Sequence, residues 1–569
     1  MTAGSRQGPA GRRAGQPRRG RGGHPDGEPG EGAVAGAGGG KAAPPAAGVQ
    51  ALEGGEVAAA GGRRLAALVL AGVAVVVFFS SARAGARAPW SYDEYFHLGM
   101  AREMRVHFPV RQFPWTPFSL MSDEFADGVP LFHAALVPLA GLPIEAAGLV
   151  AVIVGQVFVV VCLGVALWRL RVRQAWVYLL AMTTLGSLVA MRLDMCRPQL
   201  LLIGFSLLCM GLLVTEARGW VLGIVCAVFA LSHAGAWIAM FYAAAWGAAA
   251  WLTPAGAARG RREAPPPDAG RARRFLWRPL AWVAAGWLAG QFLHPNFPHN
   301  LRLMAMVNLE VPFEASPAGN AALRSQIGEE LSPPGLAVLG EEWVIFVVPL
   351  VAALALLREK RLRTRATLAA ALVALSFLVL GALAMRRMLE VGAPLALLAL
   401  AVLAAERQKQ GLGPLLGSWT AMTAGAALLI GALWTATTLR SHGFGEVSQP
   451  QEMARWLGEH GRAGEQVFTA QWADAAPLFY SAPQLRSLVA LDPTMFFAKD
   501  PRLFQEYVDI VQGRRAAPAE VIRERFHARW VTIWKAPVYQ QFAQRLVQDR
   551  AVRLVYKDPY YLVADLGGR

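Results

Sequence analysis

Only four cysteines occur in 569 residues, Cys162, Cys196, Cys209 and Cys226, and none forms a CxxC pair. A disulfide framework and a thiolate zinc site are therefore not indicated. Charge is scarce as well, with 17% of residues Asp, Glu, Lys or Arg. No GxxxxGKS/T or GxGxxG loop stands in a strand–helix context, so the usual phosphate-cradling nucleotide loops are missing. No internal repeat is evident. A net charge of +16 would suit a nucleic-acid binder, but no reading module accompanies it. The basic residues lie instead in short segments between apolar ones, and no nucleic-acid partner is expected.

What the chain has is apolar sequence, 55% of its residues. It falls into runs at 65–82, 146–168, 174–191, 198–216, 219–233, 235–252, 277–293, 336–357, 366–384, 388–405 and 415–438. A hydrocarbon core of about 30 Å needs roughly 17–25 apolar residues of helix to cross it. The fold class expected is a polytopic α-helical membrane protein with about eleven spans. Residues 1–62 carry six arginines and no acid in the first 21. They are too poor in apolar residues to order themselves and read as a disordered, basic cytoplasmic tail.

The densest basic loops, "RLRVR" (169–173), "ARGRREAPPPDAGRARR" (258–274) and "REKRLRTR" (358–365), should all be cytoplasmic. Starting from an inside N-terminus, that requires 219–252 to cross twice, although its length also suits one long tilted helix. The transmembrane region is then 63–439, with a first outer loop at 83–145. Residues 440–569 follow outside the inner (plasma) membrane. Their "QVFTAQW", "RSLVAL", "RWVTIW" and "VRLVYKDPYYLVADL" read as strands, and "PQEMARWLGEH" and "PAEVIRERFH" as amphipathic helices, giving a small α/β domain. This topology gathers the charges that are costly near lipid onto one outer face. Such residues usually line a site.

The stretch "PWSYDEYFHLGMAREM" (89–104) opens that face. Ser91-x-x-Glu94 matches a capping box, with Ser91 accepting from the Glu94 amide and Glu94 reaching back. One reading stops there, with Glu94 capping and Asp93 complementing the helix dipole. The other makes Asp93, kept ionised in the first turn, a base, with His97 one turn on to orient it.

"YDEYFHLGMAREM" resembles the first outer loop of the GT-C membrane glycosyltransferases. The Asp-Glu pair after the first span is similar to that of the protein O-mannosyltransferases. Arg102-Glu103-Met104 is similar to the element that follows the pair in the lipid A aminoarabinose transferases. "FADGVPLFHAALVPL" places Asp127 before Pro130-Leu131, where those families carry an acid ahead of Pro-Pro-Leu. One proline is missing here, and His133 follows the element. The resemblance implies inverting transfer of a sugar from a polyprenyl-phosphate carrier to an acceptor hydroxyl outside the cytoplasm. The acceptor would be a protein, lipid or polysaccharide. Asp93 would be the base, and Glu94 would position Asp93 or the acceptor.

The leaving phosphate needs positive charge held ready. Arg386 and Arg387 in "ALAMRRMLEVGAP" are candidates, with snorkelling to headgroups as the plain alternative. Arg197 in "MRLDMCRPQ" is another, although an Asp194–Arg197 pair at a helix end accounts for it equally. His233 interrupts an apolar run in "ALSHAGAW", and His294 lies in "FLHPNFPHN". Together with His97, Arg102 and Asp127 these complete the candidate substrate-contacting set; a hydrogen-bonded histidine within the bundle is the plain alternative for His233, and a turn at a helix end for His294. The acids and histidines match no standard metal-ligand spacing, so neither metal nor cofactor is predicted. A transporter or flippase of a lipid-linked or anionic solute, or a non-catalytic relative, is the competing reading. Transporters tend to show paired halves, which this chain does not.

Overall fold

A computed structural model describes residues 47–83, 89–253, 269–413 except 317, 428, 430–437 and 449–567 except 491. Two compact units are distinguished, Met1–Ala60 and Gly61–Arg569. In the first, only residues 47–60 are described, and they are helical. Most of the basic tail expected at 1–62, and most of the run at 415–438, lie outside the described residues.

Helix α1 (Ala47–Arg83) carries the first apolar segment, Gly61–Ser81. It is followed by α2 (Tyr92–Val106), α3 (Pro130–Leu136) and α4 (Ile144–Leu170). Among the described residues five helices are long and apolar enough to cross a membrane: Gly61–Ser81, Ile144–Leu170, Ala234–Leu252, Arg365–Leu383 and Arg387–Lys409. The other runs differ from expectation for identifiable reasons. Gln199–Val214, Gly219–Ser232 and Trp343–Arg358 are apolar but shorter helices, and the 277–293 run lies within Ala269–Phe292, which has Pro279 inside it. The 174–191 run is not one helix. It bends by 99° between Ala175–Thr184 and Ser187–Leu193.

Gly186 makes that bend, with φ +90°, a conformation costly for any residue with a Cβ. A Cβ there would also strike the Glu342 carboxylate. Glu342 Oε1 accepts from Ser187 Oγ at 2.6 Å and from the Leu188 amide at 2.8 Å. It caps the orphan donors of the new helix. The 219–252 stretch is broken at His233, with a 3₁₀ turn at Ala234–Trp237.

Burial sorts the helices. The Arg387–Lys409 segment has 89% of its apolar window inside the protein, against 28% for Gly61–Ser81. The former is the central post of the bundle, and the latter lies at its edge.

Residues 449–567 end the chain in a four-stranded sheet of order β1-β2-β4-β3, with β1 Gln466–Thr469, β2 Ala528–Trp534, β3 Arg553–Lys557 and β4 Tyr561–Asp565. β1 pairs parallel to β2, and the other pairings are antiparallel. The strand expected at "RSLVAL" is not formed among the described residues; Arg486 makes only an isolated bridge to Gln466. Both expected helices are present, as Gln449–His460 and Pro518–Arg525. Phe468, Phe496, Phe504, Tyr507, Phe526 and Phe542 fill the core beside the sheet, and Leu323 from the short helix Ala321–Arg324 is buried with them.

The same region grips the first loop. Trp115 Nε1 donates to the Pro483 carbonyl at 2.6 Å, and the Ser487 amide to that of Trp115 at 2.7 Å. Lys499 Nζ meets Asp123 at 2.7 Å. That bond, with a second from Ser122, holds the Asp123 carboxyl below its usual range.

Candidate active site

Adjacent carboxylates on a helix diverge by about 100°, and α2 uses that divergence. Asp93 turns toward Arg197, forming a close ion pair in which the side chains are 16% and 15% exposed. Glu94 turns inward to a close ion pair with Arg83, where neither side chain is more than 2% exposed. Gly148 of α4 makes room for that pair, since a Cβ there would overlap the Glu94 carboxylate. Glu94 Oε2 also accepts from the Trp90 amide at 3.2 Å. Ser91 makes no side-chain capping bond, so the expected capping box is replaced by a reach one residue further back. Burial of Glu94 against Arg83 takes it out of Ser91's range.

Arg83 continues to the Asp194 carbonyl at 2.8 Å, and Gln156 bonds Asp194 Oδ1 at 2.8 Å. Asp194 is thus in the buried layer beneath the site. The Asp194–Arg197 pair considered from sequence does not form.

Above that layer is an arginine–carboxylate cluster. Glu330 is paired closely with Arg192, and lies 3.1 Å from Arg197 and 3.8 Å from Arg387. Arg192 also holds Glu390 at 2.6 Å. The Arg386 amide donates to Ser332 O at 3.0 Å, and its Nε is buried with no hydrogen-bond partner among the described residues. Burial works against the Glu330 carboxylate, but Arg197, Arg387 and Arg386 outweigh it and hold it below the usual carboxylate range. Arg192, Arg197 and Arg387 thus bring guanidiniums from three separate elements around one partly exposed carboxylate.

His97 does not orient Asp93. Its Nδ1 lies 2.7 Å from His133 Nε2, and His133 Nδ1 lies 2.7 Å from Asp127 Oδ2. Asp127 is fixed by the Val129 amide at 3.0 Å, by Asn296 at 3.1 Å on its own amide, and by His294 Nε2 at 2.9 Å on its carbonyl. His294 therefore secures a loop. His233 accepts the Gly235 amide at 2.8 Å, capping the 3₁₀ turn. Arg102 sits away from the cluster, its guanidinium 3.7 Å over the Tyr480 ring.

So Asp93, Arg197 and Arg387 come together through Glu330, with Arg386 beside them. Asp127, His97 and His294 form a second group, while Glu94 and Asp194 form the layer beneath. Sequence reasoning missed Arg83, Gln156, Glu330, Glu342 and Glu390. Gln156 and Glu390, polar groups inside apolar runs, carried a signal; Glu330, in a loop, carried none. Among the described residues no three His, Cys, Asp or Glu side chains converge to hold a metal ion.

No protein-family model and no curated protein matches the chain. Solved structures do. The archaeal oligosaccharyltransferase AglB from Archaeoglobus fulgidus, in complex with an inhibitory peptide and a dolichol-phosphate, matches with TM-score 0.55 at 11% identity. That match covers 82% of this chain and 69% of AglB. ArnT from Cupriavidus metallidurans, bound to undecaprenyl phosphate, matches with TM-score 0.52 at 14% identity, over 88% of this chain and 98% of ArnT. Identities this low speak for the fold alone, which the chain shares with these two proteins.

Proposed function

We propose that the chain is an inverting glycosyltransferase that moves a sugar from a polyprenyl-phosphate carrier to an acceptor hydroxyl at the outer face of the inner membrane. The observation that carries this reading is the half-open cluster in which Asp93 faces Arg197, with Arg387 on the same Glu330. A proton acceptor and a set of phosphate-binding cations stand side by side there. Fold neighbours bound to dolichol-phosphate and undecaprenyl phosphate support a lipid-phosphate donor. The acceptor is a protein, lipid or polysaccharide.

In this mechanism the acceptor oxygen forms a bond to the anomeric carbon as the bond from that carbon to the phosphate oxygen breaks. Asp93 takes the hydroxyl proton, a contribution of about 10²–10⁴ in rate. Arg197, Arg386 and Arg387 stabilise the negative charge on the departing phosphate, in a site shielded from bulk water where such charge counts most. Glu94 acts indirectly, through the buried pair that fixes the first turn of α2. Residues 440–569 form the outer domain and 1–62 the cytoplasmic tail.

The test uses purified protein in detergent with radiolabelled polyprenyl-phosphate hexoses and pentoses and a cell-envelope acceptor fraction. Wild type should transfer label, and Asp93→Asn should transfer it about 10²–10⁴-fold more slowly. Equal transfer by the two proteins would remove Asp93 from the mechanism.

A further inference from the structure

The Asp93 carboxylate is already engaged by Arg197. One turn along α2 is a second group. Residues four apart on a helix lie about 40° from each other around the axis, so His97 shares a face with Asp93. We propose that His97, His133 and Asp127 form a proton relay whose open end, Nε2 of His97, is a second acceptor for the hydroxyl proton. The proposal rests on the transferase reading above.

The hydrogen-bond order fixes the tautomers. Asp127 Oδ2 can only accept, so His133 carries its proton on Nδ1 and offers the Nε2 lone pair. His97 must then donate from Nδ1, which leaves its Nε2 as a lone pair. Among the described residues that Nε2 bonds nothing. The groups facing His97 are His133 from α3, Arg197 from the loop before Gln199–Val214, and His233 at the helix break. The Phe132 ring stands edge-on at 5.1 Å. Arg197 is also the partner of Asp93, which joins the relay to the arginine cluster.

The proton count closes without a buried imidazolium. A proton taken at His97 Nε2 releases the Nδ1 proton to His133 Nε2, and His133 releases its own Nδ1 proton to Asp127. Both rings end neutral with their tautomers exchanged, and Asp127 ends as the acid. Burial, then His133, Arg197 and His233, push the His97 imidazolium well out of favour, and through-transfer avoids that species. The reverse passage hands the proton to the released phosphate and resets the chain. A mere strut between α2 and α3 would need the same two hydrogen bonds but no second His97 nitrogen without a partner among the described residues.

The experiment measures donor consumption from undecaprenyl-phosphate hexose across pH for wild type, Asp93→Asn and His97→Asn. The asparagine keeps a donor for His133 but cannot accept a proton. The relay predicts that His97→Asn lowers kcat at least tenfold with acceptor KM within twofold, and removes the acid limb of the pH profile. It also predicts that Asp93→Asn retains a residual rate with that limb. Should His97→Asn not fold, the wild-type proton inventory in mixed H₂O and D₂O decides. A curved plot supports concerted transfer, and a linear one overturns it. Wild-type kcat and pH profile in folded His97→Asn overturn the relay alone. Wild type that consumes no donor in any panel of sugars overturns the transferase reading and the relay with it.

Discussion

Arg83, the last residue of α1, and Glu94, in the first turn of α2, close on each other with almost no exposed surface. Truncating one partner of such a pair strands the other charge, at about 3–5 kcal/mol. Glu94→Ala should therefore lose about that much in denaturant or thermal unfolding in detergent. The double variant Arg83→Met/Glu94→Leu should recover most of it. A single variant as stable as wild type would show that the pair is not buried.

Asp93 differs by being partly exposed. Asp93→Asn should lower transfer by about 10²–10⁴ and leave the unfolding midpoint within a degree or two, because no charge is stranded in the core. Loss of stability comparable to that of Glu94→Ala would contradict this division of labour.

Glu330 carries a pH signature. Its folded pKa is held below the ordinary 4.5, so the stability it contributes is present above that value and lost as pH falls through the lower folded one. Glu330→Gln should flatten the acid decline of wild-type stability in that window, measured by unfolding between pH 6 and roughly pH 3.

Asp474 has the opposite sign. Burial raises its carboxyl to about 7, opposed by the Tyr561 hydroxyl, which donates at 2.7 Å. The protonated acid suits the folded state, so its contribution is full below about 3.8 and is lost as pH rises through about 7. Asp474→Asn should remove that loss, leaving the variant with a shallower decline in unfolding free energy between pH 5 and pH 8.

Topology is open to direct labelling. All four native cysteines are buried, while Val106 and Phe108 are 73% and 71% exposed. Single cysteines introduced there should react with a membrane-impermeant maleimide added to intact cells or spheroplasts. Reaction only after lysis would place α2 inside and end the outer-face proposal.

How much of this was legible in the sequence follows from the range of each interaction. The helix start at Tyr92 and the two amphipathic helices near the end are local patterns, and they were readable; the split of 219–252 rested on the charge of distant loops, since the local pattern also suited one long helix. The bend at Gly186 was not, because the Glu342 carboxylate that caps the new helix comes from over 150 residues away. Asp93 and Arg197 were each legible as polar groups near lipid; their pairing, and the bridging by Glu330, were set by tertiary packing. The capping box failed for a similar reason. Glu94 met the local spacing, but a distant arginine and the gap at Gly148 offered its carboxylate a better place.

The Arg83 anchorage has a consequence for biogenesis. The first apolar segment leaves the ribosome with a guanidinium at its end whose three contacts, Glu94, the Asp194 carbonyl and the space over Gly148, are all made later. Until residue 194 is synthesised that arginine must stay hydrated among headgroups. Final seating of the first helix therefore waits on a third of the chain, and nascent proteins shorter than this should hold it only loosely.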